Sequence, residues 1–373
     1  MRDPRHVQLA EQLIGYSLAV RPGEIVYIEL KGLETLALGR ELIRAVTAAG
    51  GVPFWYYNDE DVARPFIHDA QQGQFERWGE FHRRIMEMSD CYVAIRGSSN
   101  PFDLKDVSAE RMKWYNKAYW ETVHSVRVEQ KRWVVLRYPN PSMAIQAERP
   151  TEAFEDFYFR VCNFDYSRLS VAMDPLVELL TRTRTVEITG PGTDLRFSIE
   201  GIGAVKCDGH RNVPDGEVYS CPVRDSVEGT ITYNAASMRD GTLFRDIRFR
   251  VEKGRIVEAD CNGDTGRLNA ILDTDEGARY FGEFALGLNP YITEPLLDTL
   301  FDEKIGGSFH LTPGQAYAAT DNGNRSAVHW DLVCIQTPEW GGGEIRFDGT
   351  VVRRDGRFVL PELEGLNPEN LVD

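Results

Sequence analysis

Near the C-terminal end, the run SAVHWDLV (Ser326 to Val333) reads as a buried strand with a histidine and an aspartate inside it. Alternate residues of a strand share a face, so His329 and Asp331 point the same way, about 6–7 Å apart. Either they satisfy each other and the neighbouring backbone, or they hold something between them. Other residues of the same chemistry lie upstream. His310 sits in an apolar stretch after DEKIGGSF, Tyr317 follows seven residues later, and the turn-rich TDNGNRS returns the chain to His329. Two strands joined by that loop would bring His310 and His329 together. Glu217 directly follows a Pro-Asp-Gly turn and enters an apolar run, Glu283 lies within GEFALG, and Asp302 and Glu303 precede His310. A carboxylate in apolar surroundings costs several kcal/mol unless paired or coordinated. Neutral imidazole with carboxylate suits divalent metals. Such a set can bind one ion, or two that share a bridging carboxylate.

Taken singly, each residue has a plainer reading. His329 and Asp331 could be an internal hydrogen-bonded pair, Glu217 a solvated turn residue, Glu283 part of an amphipathic helix face, and Tyr317 an ordinary core or interface phenol. It is the accumulation of ligand types within 217–331 that favours a metal. His6, His68, His82 and His124 lie in polar surroundings and read as structural, and His210, before the RNVPDGE turn, is assigned no role.

The elements that must position these groups change character along the chain. EIVYIEL (24–30), VPFWYY (52–57), CYVAIRG (91–97) and RWVVLRY (132–138) are short apolar runs separated by helical patterns. One of these, ETLALGRELIRAVTAAGG, stops at Gly50–Gly51. This alternation predicts parallel βαβ units in an α/β domain. No glycine-rich phosphate loop is present, which argues against a nucleotide cofactor. From about Val186 the texture becomes antiparallel β. TVEITGPGTDLRFSIEG, GTITYNA, IRFRVEKGRIVEADC and GEIRFDGTVVRRDGRFVL alternate, and EKGR, FDGT and RDGR mark hairpins. Helices are expected near TDEGARYFGEFALG and in EPLLDTLFDEK. A polar and aromatic segment, about 140–185, joins the halves. The expected division is an α/β domain over 1–165 and a mainly antiparallel α+β domain over 166–373 that carries the site.

Composition narrows the classes. The chain has 373 residues, ordinary hydrophobic content and a formal net charge of −16, which argues against nucleic-acid or anionic-membrane partners. No apolar run approaches a membrane span, and the N-terminal pattern is an amphipathic helix rather than an export signal. The six scattered cysteines form no C-x-x-C pair and read as reduced core residues. A cytoplasmic location is expected.

The strings NVPDGEVYSCP…VEGT, GEFALGLNP, DEKIGGSFHLTPGQAY, NRSAVHWDLV and GGEIRFDGTVVRRDGRFV resemble the thermophilic-type metalloaminopeptidases, the M29 family of aminopeptidases T and S. RPGEIVYIEL, AAGGVPFWYY and RGSSNP extend the resemblance over most of the chain. It implies two divalent metal ions, zinc or cobalt with manganese and iron(II) as alternatives. Carried over, the ligands are Glu217, Glu283, His310, His329 and Asp331. Glu303 matches a further acidic ligand, although its spacing to His310 is two residues longer here. The usual H-x-A-L-G is altered to HLTPG. The activity implied is removal of N-terminal residues from short peptides by metal-activated water. Tyr317 would donate to the tetrahedral intermediate, and Glu283 or Glu303 would act as base. A homodimer is also implied. The main alternative on the same fold is a ring-cleaving dihydroxypyridine dioxygenase, with one iron on His310, His329 and Asp331. A non-catalytic binding protein is a third reading, against which the intact ligand set speaks.

Overall fold

A computed structural model describes residues 2–98, 100 and 102–372. Of the RGSSNP stretch, Ser99 and Pro101 lie outside the described residues. The chain divides into two compact units, 1–164 with 209–213, and 165–208 with 214–373.

The first unit is built on a five-stranded, wholly parallel sheet. Its order is Val52–Asn58, Ile25–Lys31, Cys91–Arg96, Arg132–Arg137 and Asn212–Val213. The central strands are buried along nearly their whole length, as expected for a sheet covered on both faces. The helix Leu36–Ala48 crosses between the first two strands, and Gly50 follows it at φ +77°. That is the left-handed stop which glycine accepts without penalty. The edge strand 212–213 comes from a later part of the chain, which the sequence patterning does not reveal.

Three histidines of this unit are used in packing. His6 Nε2 meets the Tyr138 hydroxyl at 2.7 Å, and His82 is buried against Trp78 and Tyr56. His124 stacks on Trp120, where burial and the neighbouring Arg127 push its pKa down to about 4. His68 pairs with Asp69, and the His210 ring lies against Tyr16.

The second unit holds two antiparallel sheets. The larger contains Ser237–Arg239, Thr242–Glu252, Glu228–Tyr233, Thr193–Ser198, Thr185–Gly190, Glu344–Phe347, Thr350–Arg354 and Arg357–Phe358, with Arg255–Asn262 paired to Thr242–Glu252. Its hairpins turn where the sequence signals them. Lys253–Gly254, Asp348–Gly349 and Asp355–Gly356 all have positive φ at both positions. This is the primed turn that matches strand twist.

The smaller sheet runs Val333–Ile335, Ser308–Pro313, Phe281–Gly287, Glu217–Ser220 and Val205–Cys207. One of its faces packs on the larger sheet, with Phe284 edge-on to Phe197 at 5.1 Å. Two expectations are corrected here. The segment around Glu283 is a central strand rather than a helix, preceded only by a 3-10 turn, Glu276–Arg279. Every residue of that strand is buried, so no alternation betrays it. EPLLDTLFDEK forms a single helical turn, Thr299–Asp302.

Candidate metal centre

The strand period decides what reaches the second face of the smaller sheet. Glu283, Ala285 and Gly287 alternate with Phe284 and Leu286, and His310 and Thr312 alternate with Phe309 and Leu311. Register places Gly287 opposite Glu217, Ala285 opposite both Tyr219 and His310, and Glu283 opposite Thr312. Ala285 and Gly287 therefore form a low floor, walled by Glu217, Glu283 and His310. SAVHWDLV is not a regular strand: only Val333–Ile335 is, and His329 makes a single bridge to Gly314. The extended chain still runs beside 308–315, through Gln315 N–H to Val328 O, Trp330 N–H to Pro313 O, and Leu311 N–H to Leu332 O. His329 and Asp331 accordingly face the same floor.

Gly314 makes that approach feasible. It has φ +110°, and a Cβ there would lie 2.0 Å from the Val328 carbonyl oxygen. Gly314→Ala is expected to cost about 2–4 kcal/mol of stability and to displace His329, because backbone faces backbone with no flexible atom to yield. Denaturant titration with and without metal checks this.

The side chains gather into two clusters. Glu217, Glu283 and His310 offer one, and Glu283, His329 and Asp331 the other, with ligand atoms within 4.8 Å of one another in each. His310 Nε2 lies 3.5 Å from Glu217 Oε2 and 3.7 Å from Glu283 Oε1. His329 Nε2 lies 3.3 Å from Glu283 Oε2 and 3.2 Å from Asp331 Oδ1. Glu283 thus turns one oxygen to each cluster. Glu217 Oε2 and His329 Nε2 are buried yet make no hydrogen bond. Buried polar atoms rarely go unpaired, and atoms that converge without bonding each other fit a cation. His329 Nδ1 contacts the Gln315 carbonyl at 2.8 Å, which fixes the tautomer that leaves Nε2 free to ligate.

Electrostatics agree. Burial alone would push His310 down, but Glu283 and Glu217 reverse this and raise its pKa to about 9. Burial likewise opposes protonation of His329, and Asp331 and Glu283 overcome it, raising the pKa to about 12. Burial pushes Asp331 up, but His329 and His310 hold it well below the ordinary range. Negative charge facing these imidazoles makes them hold a cation, whether a proton or a metal ion.

The structure brings Glu217, Glu283, His310, His329 and Asp331 together. Glu303 belongs to neither three-residue cluster. Its Oε1 pairs with Lys304 Nζ at 2.7 Å, and burial pushes its carboxyl well above the usual range. Asp302 turns to the Leu296 N–H at 2.6 Å, and burial raises its pKa to about 8. Tyr317 sits on the rim, 45% exposed, with its ring 4.7 Å from that of His329.

Sequence reading missed two neighbours. Lys304 stands in the quoted DEK triplet, where a charged turn ordinarily reads as solvated. Thr312 occupies the alanine position of H-x-A-L-G, and its hydroxyl donates to Asp331 Oδ1 at 2.8 Å. Outer-shell bonds of this kind orient ligands. Thr312→Ala is expected to weaken zinc binding about tenfold at the His329 cluster, read by competition with a chromophoric chelator.

A parallel α/β unit is joined in this chain to an antiparallel unit whose paired carboxylate–imidazole clusters could hold metal ions. The thermophilic metalloprotease (M29) family model matches residues 3–358. The chain belongs to that family, and hence to the metal-dependent hydrolases. It is similar to aminopeptidase T of Thermus thermophilus, 28% identical over 95% of this chain and 98% of that protein. It is also similar to aminopeptidase 2 of Geobacillus stearothermophilus, 25% identical over 93% and 94%. Among solved structures, wild-type AmpT from Thermus thermophilus superposes with a TM-score of 0.79 at 25% identity, covering 96% of this chain and 99% of that one. A 2,5-dihydroxypyridine dioxygenase from Pseudomonas putida shares the fold, with a TM-score of 0.61 at 16% identity over 96% and 98%.

Proposed function

We propose that this protein is an aminopeptidase that removes N-terminal residues from short peptides, using two divalent cations held by Glu217, Glu283 and His310 and by Glu283, His329 and Asp331. The observation that carries the reading is Glu283, whose two oxygens face two separate ligand clusters. The surplus of acids supports it: Asp215, Glu217, Glu283 and Asp331 outnumber the single ammonium of Lys304, an excess of carboxylates that divalent cations offset.

Divalent cations, zinc or cobalt in this reading, supply polarisation of the scissile carbonyl and a water that ionises near neutral pH. The chain supplies the rest. Tyr317, at the exposed rim, donates its hydroxyl hydrogen bond to the oxyanion that develops on the carbonyl. Glu303, outside both clusters and disposed by burial to hold a proton, accepts one and returns it to the leaving amine. Glu283 serves as the shared ligand. The free N-terminus of the peptide would be held by a cation or by an acidic residue of the site.

Metal-free protein should regain hydrolysis of leucine p-nitroanilide and short peptides with two equivalents of zinc, cobalt or manganese, and N-acetylated peptides should remain intact. One iron per chain with oxygen uptake on a dihydroxypyridine would overturn this in favour of the dioxygenase. That reading uses His310, His329 and Asp331 but leaves Glu217 without a task.

Two finer expectations belong here. A homodimer follows the family likeness and is tested by light scattering. A cytoplasmic location accords with six unpaired cysteines, and among the described residues no helix is long and apolar enough to cross a membrane. Fractionation of cells tests the location.

A further inference from the structure

Lys304 is among the most enclosed charged side chains of the molecule, with 1% of its surface exposed. Its Nζ lies 2.6 Å from Glu217 Oε1, 2.7 Å from Glu303 Oε1 and 3.6 Å from Asp215 Oδ1. The backbone brings it there by design. Gly287 lies on the floor strand, and a Cβ at that position would sit 2.3 Å from the Ile305 carbonyl oxygen and 3.1 Å from that of Glu303. The turn bearing Glu303 and Lys304 therefore rests directly on the strand that presents Glu283. The Lys304 carbonyl is held in turn by the Asn289 N–H at 3.0 Å. A lysine fixed in this way acts on both acids at once. Glu217 keeps Oε1 on the ammonium and turns only Oε2, the unbonded atom, toward His310 and Glu283. Glu303 is tied by its own Oε1 to the same ammonium.

We propose that Lys304 is a positioning residue that sets the coordination of the Glu217 cluster: it restricts Glu217 to one ligand oxygen and keeps Glu303 out of the cation's shell. The inference rests on the two-cation reading above. It follows from charge and geometry alone, since an ammonium and a divalent ion compete for the same oxygens, and the ammonium occupies one oxygen of each acid.

The test compares the wild-type protein with Lys304→Met and Lys304→Gln, purified with zinc, stripped and titrated with zinc and with cobalt. Removing the ammonium frees Glu217 Oε1 and Glu303. Zinc affinity at the Glu217 cluster should therefore rise at least tenfold, and the visible cobalt band should weaken as the coordination number increases. On peptide substrate, kcat should fall at least a hundredfold while KM stays within about threefold. A lysine that merely fills space would lower stability without tightening metal or changing the cobalt spectrum. Variants with wild-type affinity, spectrum and kcat overturn the proposal and leave the two-cation reading standing. If both variants fail to fold even with zinc present, Lys304 is a prop of the fold and the proposal is likewise overturned. If the wild-type protein itself binds no ion that Glu217→Gln removes, the two-cation reading falls first and this inference with it.

Discussion

Glu283→Gln is expected to remove both metal positions at once and to reduce kcat/KM by at least about a thousandfold, whereas Glu217→Gln and His329→Ala should each remove one. The asymmetry follows from the two oxygens of Glu283, one 3.7 Å from His310 Nε2 and the other 3.3 Å from His329 Nε2. An amide keeps the shape but loses the charge. It also turns one of its ends into a donor, which faces an imidazole nitrogen or a cation in place of a second acceptor. The carboxylate is stabilised as an anion because its contacts with His310 and His329 outweigh the effect of its own burial. Metal content after dialysis, measured for the three variants side by side, distinguishes a shared ligand from three independent ones. Equal loss in all three would show that the clusters are not separate.

The second large effect is on pH. In the metal-free protein the pKa of His310 is raised to about 9 and that of His329 to about 12. Both are elevated above the unfolded value near 6.5. The folded state therefore binds more protons than the unfolded state above that value. The stabilisation is complete below about pH 6.5 and is lost as pH rises, through about 9 for His310 and toward 12 for His329. Metal binding runs the other way, because each ion must displace an imidazole proton and its affinity gains about tenfold per pH unit for each proton displaced. Between pH 6.5 and 9 the thermal midpoint of the stripped protein should fall, and that of the zinc-loaded protein should hold or rise. Adding zinc to unbuffered stripped protein near pH 7 should release about two protons per chain. Parallel trends in the two forms would show that the imidazoles are not the groups in competition.

Much of this centre is legible in the sequence, and the exceptions have physical causes. The hairpins at Lys253–Gly254, Asp348–Gly349 and Asp355–Gly356 are visible because positive φ at two successive residues selects residue types. The parallel strands are visible as uniformly apolar runs between helical patterns. Glu283 reads as helical from sequence because its strand is buried on both faces, so period two disappears just where it is needed. His329 and Asp331 share a face as the alternation implies. Regular pairing there starts only at Val333, beyond the glycine crossing at 314. The helix Thr265–Leu272 leaves little trace in the sequence, since TGRLNAIL offers too few turns to establish a period. Lys304 and Thr312 escaped for a different reason. Their importance comes from lateral neighbours, Glu217 and Asp331, far away in sequence, and local patterning carries no trace of those contacts.

The chain crosses between its units three times, after residues 164, 208 and 213. No single scission can yield both units whole. A fragment ending near residue 165 would lack Asn212–Val213, stripping the partner from Val135 and Leu136 and leaving an apolar parallel edge open to self-association. Dissecting the protein into halves would therefore produce aggregates from the first portion, and a chain that splices 209–213 back onto 1–164 is the sounder route to asking what that portion does alone.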